Sequence, residues 1–224
     1  MIDVSFLLPT NRYSSDREMV SKCIKSIRDC SDGLSIEILV YSQDEVVDKS
    51  VTWIAETVPS GPIYGFNYLA TLSTGKYIAC ITDDQMFTSH ISRSISLLDS
   101  MKTEYEICGF NVGGYCPIPR IGDVLGDRPL EVDTPGVTTL RFPFMSRKCL
   151  EKLGCVFHPS LYYHAGDIWL SYFLGKNHCQ VVEDGTSISQ IKYCKNSQYE
   201  VADCNKVHDL IVKNPEPRHY YEKN

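Results

Sequence analysis

The stretch Tyr77–Met86, YIACITDDQM, decides how this chain is read. Its apolar run, Tyr77 to Ile81, has the length and composition of a buried strand. It stops abruptly at Thr82 and two adjacent carboxylates, Asp83 and Asp84. Like charges side by side repel, so either a positive group answers them or solvent dilutes the repulsion. What the rest of the chain brings to that strand end decides between the two.

Upstream lies GPIYGFNYLATLSTG (Gly61–Gly75), which predicts a short helix over Tyr64–Thr74 closed by Gly75. Further back, VSFLLP (Val4–Pro9) and IEILVY (Ile36–Tyr41) read as two more buried strands. Between them Met19, Val20, Cys23, Ile24, Ile27 and Cys30 recur at helical spacing, with Ser15 and Glu18 forming a capping box and Gly33 ending the helix. Strand, helix and strand in that order predict parallel pairing through right-handed crossovers. Downstream of the aspartates, Thr88 is placed to cap a helix with Ile91, Ile95, Leu98 and Met101 on its buried face. EYEICGFNV then supplies a fourth strand. The alternation predicts an α/β fold with a mostly parallel central sheet flanked by helices, Rossmann-like in its N-terminal half.

After Val112 the pattern changes. The 24 residues Gly113–Gly136 are rich in Gly and Pro and lack periodicity, as expected of a functional loop or lid; a tolerated surface insertion is the plainer alternative. TTLRFPFM then reads as a strand. SRKCLEKLG is a short helix capped by Ser146 and closed by Gly154, and HAGDIWLSYFLG is another. HCQVV and SISQIK complete the sheet, and the tail NPEPRHYYEKN is expected to fray.

At 224 residues the chain is expected to form a single domain with a sizeable core. Its net charge of −6, without a basic run, argues against nucleic acid or an anionic membrane as the main partner. A phosphate-bearing small molecule stays compatible with that charge, because a metal ion can supply the missing positive charge. The opening MIDVSFLLPTNR has only a brief apolar patch closed by Pro9, so no signal peptide is expected. No run of about 18 apolar residues predicts a transmembrane segment. The ten cysteines form no CxxC pair; Cys23 and Cys80 fall in apolar-periodic segments and read as reduced core thiols. That suits a cytoplasmic protein, with or without peripheral attachment to a membrane.

Ligands of open parallel sheets bind beyond the carboxyl ends of the strands. Four features fall there: PTNR (Pro9–Arg12), SQDE (Ser42–Glu45), TDDQ (Thr82–Gln85) and the Gly-rich loop. Adjacent aspartates point in different directions, so one can reach a divalent cation while the other takes a hydroxyl hydrogen bond. Oxygen ligands of this kind suit Mg²⁺ or Mn²⁺. A solvated Asp-Asp turn capping the next helix is the alternative on the pair alone.

The series VSFLLPTNR, CIKSI, IEILVY, GFNYLATLSTGKYIACITDDQ, FMSRKCLEKLG and GDIWLSYFLGKN, in that order, resembles family 2-type glycosyltransferases with the GT-A fold. The resemblance covers most of Val4–Asn177 as scattered short motifs. It implies a single domain in two parts, a nucleotide-sugar-binding half (residues 1–112) and an acceptor-binding half (113–224). It further implies transfer of a sugar from a nucleotide-diphosphate donor to the hydroxyl of a glycan, glycolipid or glycoprotein, with inversion and with Mn²⁺ or Mg²⁺ as cofactor. Asp84 would bind that metal, which would bridge the donor's diphosphate. Asp83 would hold the ribose or sugar side. Pro9, Thr10, Arg12 and Asn67 would form or support the nucleotide pocket, and Asp167 would be the general base. His164 and Trp169 would lie on the acceptor side. Trp169 reads equally as a core residue, and Asp167 as a first-turn acid favoured by the helix dipole.

One departure is visible. The family places acids after its second strand, where YSQDE stands here, so base contacts would run through Gln43, Asp44 or backbone groups and the nucleobase stays open. Arg141 and Arg147 are candidates for closure over the diphosphate, though surface basics are as common. Two rival readings follow. A sugar nucleotidyltransferase would need a Gly-rich phosphate loop with Arg and Lys, whereas PTNRYSSD has one arginine and no glycine. A degenerate domain that binds nucleotide or glycan without catalysis is supported only by the altered YSQDE turn. A retaining mechanism is the remaining chemical variant. On the transferase reading, the aspartate pair is answered by a divalent cation and a bound diphosphate.

Overall fold

The computed structural model describes residues 1–112, 140, 142–162, 166–176, 182–190, 206, 209 and 210. Its eight strands are β1 (Val4–Pro9), β2 (Ile36–Ser42), β3 (Thr52–Ala55), β4 (Tyr77–Cys80), β5 (Gln85–Phe87), β6 (Ile107–Val112), β7 (Pro143–Ser146) and β8 (Val182–Gln190). Among the described residues five helices accompany them: α1 (Arg17–Cys30), α2 (Gly61–Leu72), α3 (Ser92–Ser100), α4 (Arg147–Leu153) and α5 (Gly166–Lys176). The strands form one sheet in the order β3-β2-β1-β4-β7-β6-β8-β5. Pairs β1–β2, β1–β4, β2–β3 and β6–β8 are parallel, whereas β4–β7, β6–β7 and β5–β8 are antiparallel. The expected parallel N-terminal half is present, with β1 at its centre and every β1 side chain buried.

Alternation of side chains along the strands splits the core in two. On one face Leu7, Leu39, Ile78 and Met145 pack against Phe66 and Leu69 of α2, Leu150 of α4 and Trp169 and Phe173 of α5. On the other, Phe6, Leu8, Val40 and Phe144 meet Cys23, Ile24 and Ile27 of α1 and Leu98 of α3. Among the described residues the six cysteines are all buried and in no disulfide. Burial pushes the Cys30 and Cys155 thiols up to about 12, which fits their reading as inert core groups.

The structure revises several boundaries. α1 is capped by Asp16, whose Oδ1 accepts from Met19 N, while Ser15 Oγ donates instead to Arg12 O. Gly33 lies beyond the helix in a turn with φ of 79°. α2 begins at Gly61 and ends in an extended cap at Ser73, and Gly75 N donates to Ser5 Oγ rather than closing the helix. Thr88 is not the N-cap of α3, because residues 85–87 form β5 and α3 starts only at Ser92, with Ile91 at its N-cap. The expected caps of α4 hold: Ser146 Oγ accepts from Cys149 N, and Gly154 is left-handed. Residues 182–190 form one strand where two were expected around them, and the rest of HCQVV and SISQIK lies outside the described residues, as do the Gly/Pro stretch and the tail. No helix among the described residues is long and apolar enough to cross a membrane.

β5 is four strand places from β4 yet only a few residues away in sequence. Four strand spacings span about 19 Å, and the five residue steps from Cys80 to Gln85 reach at most about 17 Å. A flat sheet would not close that gap, so the sheet curls. Phe87 of β5 consequently meets Phe6 of central β1 edge-on at 5.7 Å and Phe110 of β6 at 5.0 Å. Phe87 N donates to Ser26 Oγ of α1, which pins the curled edge. Asp83 and Asp84 occupy the bend between centre and edge.

At the opposite end of the strands, Glu37 Oε1 accepts from Ser5 Oγ (2.6 Å), Thr74 N (2.5 Å) and Thr74 Oγ1 (3.0 Å). Burial would raise this carboxyl, but the hydrogen bonds from Ser5 and Thr74 outweigh it and hold it below its ordinary value of 4.5. Stabilisation from a depressed carboxylate is present above that ordinary value and is lost as pH falls through it. Glu37→Gln is therefore expected to lower Tm at pH 7, with the difference from wild type shrinking below about pH 4. Paired melting curves across that range check it.

Candidate functional site

Parallel register decides what faces Asp83. β1 and β4 pair with a constant offset, Val4 with Tyr77 through Leu7 with Cys80. Carried three residues further, that offset sets Thr10 opposite Asp83, and the Thr10 hydroxyl does donate to Asp83 Oδ2. Arg12, two residues on, places Nη1 2.9 Å from Asp83 Oδ1. The turn carrying it is tied down: Thr10 N donates to Tyr41 O, Arg12 N to Thr10 Oγ1, and Ser15 N and Asp16 N to Arg12 O. Asp83 is only 4% exposed. Burial pushes its carboxyl above the ordinary range, and the Arg12 charge and the Thr10 hydrogen bond pull it partway back.

Asp84 turns the other way. Its Oδ1 accepts from Thr82 Oγ1 (2.7 Å) and from Gln85 Nε2 (3.4 Å), and its Oδ2 lies 3.5 Å from the same Arg12 nitrogen. Gln85 Oε1 is buried without a hydrogen-bond partner. From beneath, Cys23 of α1 aims Sγ at Thr82 O, 3.6 Å away. Burial, and then the charges of Asp83 and Asp84, push that thiol well up. Among the described residues the Arg12 guanidinium lies beside both aspartates. Gln85 escaped the sequence reading, although its place next to the pair was a signal.

On the β2 side, Ser42 Oγ donates to Asp44 O and accepts from Asp44 N, closing a tight turn. Asp44 Oδ2 accepts from Ser14 Oγ at 2.6 Å, and Gln43 is exposed. The second turn thus joins the first at the carboxyl edge of the sheet.

Other expected site residues stand elsewhere. Pro9 is buried against α2: a Cβ on Gly65 would come within 2.7 Å of Pro9 Cβ and 3.0 Å of Tyr41 Cδ1, so only glycine admits this approach. Asn67 is 3% exposed and faces the interior. Trp169 is 1% exposed, stacked on Phe173 at 5.6 Å and edge-on to His158 at 5.2 Å, so it is a core residue with no ring face open to a sugar. Arg147 binds Gly75 O and Ser73 Oγ at the amino end of β4, far from any diphosphate at the other end. The cause is direction: β7 runs antiparallel to β4, and its last residue pairs with the first of β4. Arg141 and His164 lie outside the described residues.

Asp167 is linked to α2 through a chain of packed groups. Asn67 Nδ2 donates to Phe157 O (2.8 Å), and its Oδ1 accepts from Val156 N (2.9 Å) and Phe157 N (3.0 Å). Phe157 in turn packs on Gly166, where a Cβ would lie 2.8 Å from the ring. Asp167 follows in the first turn of α5, partly exposed, and Asp167 O accepts from Ser171 Oγ. Thus α2 holds the end of β1 through Gly65 and the segment packed on the start of α5 through Asn67, two residues later.

The fold is that of GT-A-type glycosyltransferases. TarS from S. aureus, residues 1–349 in complex with UDP, aligns with a TM-score of 0.59 at 11% identity, covering 97% of this chain and 68% of that one. The mannosyltransferase PcManGT from Pyrobaculum calidifontis, in complex with GDP-Man and Mn²⁺, aligns with a TM-score of 0.58 at 16% identity, covering 88% of this chain and 58% of that one. A longer TarS structure gives 0.57 at 14% identity, covering 94% of this chain and 39% of that one. No protein-family model and no curated protein matches the sequence.

Removing the Asn67 side chain leaves two backbone N–H groups and one carbonyl buried without it. Asn67→Ala is expected to destabilise the fold by about 3 kcal/mol, measured as a lower midpoint in urea unfolding.

Proposed function

We propose that this domain transfers a sugar from a nucleotide-diphosphate donor to an acceptor hydroxyl, with inversion at the anomeric carbon. The observation that carries this reading is the arrangement at the carboxyl edge, with Asp83 and Asp84 at the end of β4 and the PTNR turn bound to them. Asp167, in the first turn of the helix that α2 reaches through Phe157, is the candidate base. Likeness in fold to proteins solved with UDP and with GDP-Man and Mn²⁺ supports it.

The residues fit a divalent cation. Asp84 offers carboxylate oxygens, and beside it Gln85 Oε1 is a buried oxygen lacking a donor. Oxygen donors suit Mn²⁺ or Mg²⁺, and such ions leave most of their shell to substrate phosphate and water. Among the described residues no group of three His, Cys, Asp or Glu side chains could hold a metal alone, which agrees with a site that the substrate completes. When bound, the ion would stabilise negative charge on the departing diphosphate.

The chain's own residues do the rest. Asp83 and Asp44 are the acceptors facing donor hydroxyls and base, with Gln43 at the rim. Asp167 takes the proton of the acceptor hydroxyl as its oxygen bonds to the anomeric carbon and the bond to the diphosphate oxygen breaks. The acceptor is a glycan, glycolipid or glycoprotein. A second reading, binding without turnover, draws on Arg12, which already neutralises part of the aspartate pair without a metal.

Thermal shift with uridine, guanosine, cytidine and thymidine diphosphates and their sugars, each with and without Mn²⁺, tests the proposal. A nucleotide at 100 times its Kd stabilises the fold by about 2.7 kcal/mol. The expected result is a metal-requiring shift for one nucleotide class, lost in Asp84→Asn. Asp167→Asn should keep that shift and lose turnover, assayed as nucleoside diphosphate release in the presence of acceptor. Absence of any nucleotide shift would overturn the proposal, and a shift without turnover under any acceptor would leave the binding-only reading.

A further inference from the structure

The guanidinium of Arg12 stands where a cation bound to the aspartate pair would stand. Its Nη1 is 2.9 Å from Asp83 Oδ1 and 3.5 Å from Asp84 Oδ2. The two contacts are unequal in kind as well as length. Asp83 is almost wholly buried and also receives the Thr10 hydroxyl, so its share of the guanidinium is fixed by desolvation. Asp84 is held by Thr82 and Gln85, more of its side chain meets solvent, and the Arg12 contact lies beyond hydrogen-bond distance.

A second observation points the same way. Gln85 Nε2 is spent on Asp84, while Oε1 of the same amide is buried without a donor. Arg12 therefore answers the charge of the pair but leaves a buried acceptor beside Asp84 unsatisfied, and a cation on Asp84 would supply what that oxygen lacks. The backbone of Arg12 is tied down by hydrogen bonds at both its N and its O, whereas its side chain turns about several bonds.

We propose that Arg12 is an internal counter-cation that competes with a divalent metal for Asp84: metal entry displaces the guanidinium from Asp84 while Arg12 stays on Asp83. This rests on the metal-binding reading of Asp84 given above. Guanidinium and metal cannot share one carboxylate edge without like-charge repulsion, so Arg12 weakens metal binding in the free protein and offsets the repulsion between the carboxylates until the metal arrives. Arg12 is thus a positioning residue for the metal site.

The test is Mn²⁺ titration of the whole chain, followed by the electron paramagnetic resonance signal of free Mn²⁺, first alone and then with UDP or GDP. Arg12→Gln removes the charge and is expected to tighten Mn²⁺ binding about tenfold or more. Arg12→Lys keeps a compact charge that can hold Asp83 but cannot bridge both carboxylates, and should fall between wild type and Arg12→Gln. If Arg12→Gln does not fold, tightening in Arg12→Lys alone supports the proposal. Equal or weaker Mn²⁺ binding in the folded variants overturns the competition and leaves the metal site standing. No Mn²⁺ binding by any of the proteins, even with nucleotide, overturns both.

Discussion

A carboxylate taken out of water must be answered by charge and hydrogen bonds, or it gives up its own charge. Asp83 is such a group, and the chain answers it with Thr10 and Arg12 from the neighbouring strand's exit turn. That bond makes the carboxyl ends of β1 and β4 a single unit. The turn after β1 cannot drift without stranding Asp83, and the bend after β4 cannot move without stranding Arg12. Asp84, Gln85 and the closing turn of β2 take their places from this fixed pair.

Helix α2 does the comparable work on one face of the sheet. A glycine lets it sit directly on Pro9, and an asparagine two residues later grips the segment that leads to α5. Both contacts face inward, one to the strand that carries Thr10 and Arg12, the other to the helix that carries Asp167. The other face is governed by curl. Drawing β5 over central β1 packs Phe87 against Phe6 and places the aspartates on a bend rather than on a straight strand end. Rigid packing on both faces of one edge is what a site needs if its groups are to keep their spacing.

How much of this could be read from the sequence differs by element. The parallel units β1-α1-β2 and α2-β4 were legible because long apolar periodicities and short connections dictate local pairing. β5 and β7 were not placed by pattern, since three- and four-residue strands carry no period and their partners are far off in sequence. The antiparallel direction of β7, which no pattern gives, sets Arg147 at the amino end of β4. In the site, Asp83, Asp84, Thr10 and Arg12 were legible as neighbours, but the ion pairs from Arg12 to both aspartates were not, because a charge contact depends on how the β1 exit turn folds back. The register between β1 and β4 would have predicted the Thr10–Asp83 bond, once the strands were known to be parallel. Asn67 and Pro9 were marked as forming or supporting a nucleotide pocket, and both are buried, Asn67 on Val156 and Phe157 and Pro9 against α2, because sequence motifs mark where a residue matters and not which way it faces. Trp169 shows the same ambiguity, resolved by its stacking on Phe173.

The insertion of β7 between β4 and β6 has a consequence for synthesis. Residues 1–112 contain six of the eight strands, yet the sheet cannot close on them, because β4 and β6 are neighbours only through a strand that ends at Ser146. At about 5–20 residues per second, the ribosome needs some seconds to deliver it after Val112. During that interval β4 presents an unpaired hydrogen-bonding edge, and β6 lacks both its mates. Open apolar edges of this kind are where nascent chains pair wrongly. The part of the chain that looks most like a self-sufficient unit therefore matures only when the later part arrives to complete its centre.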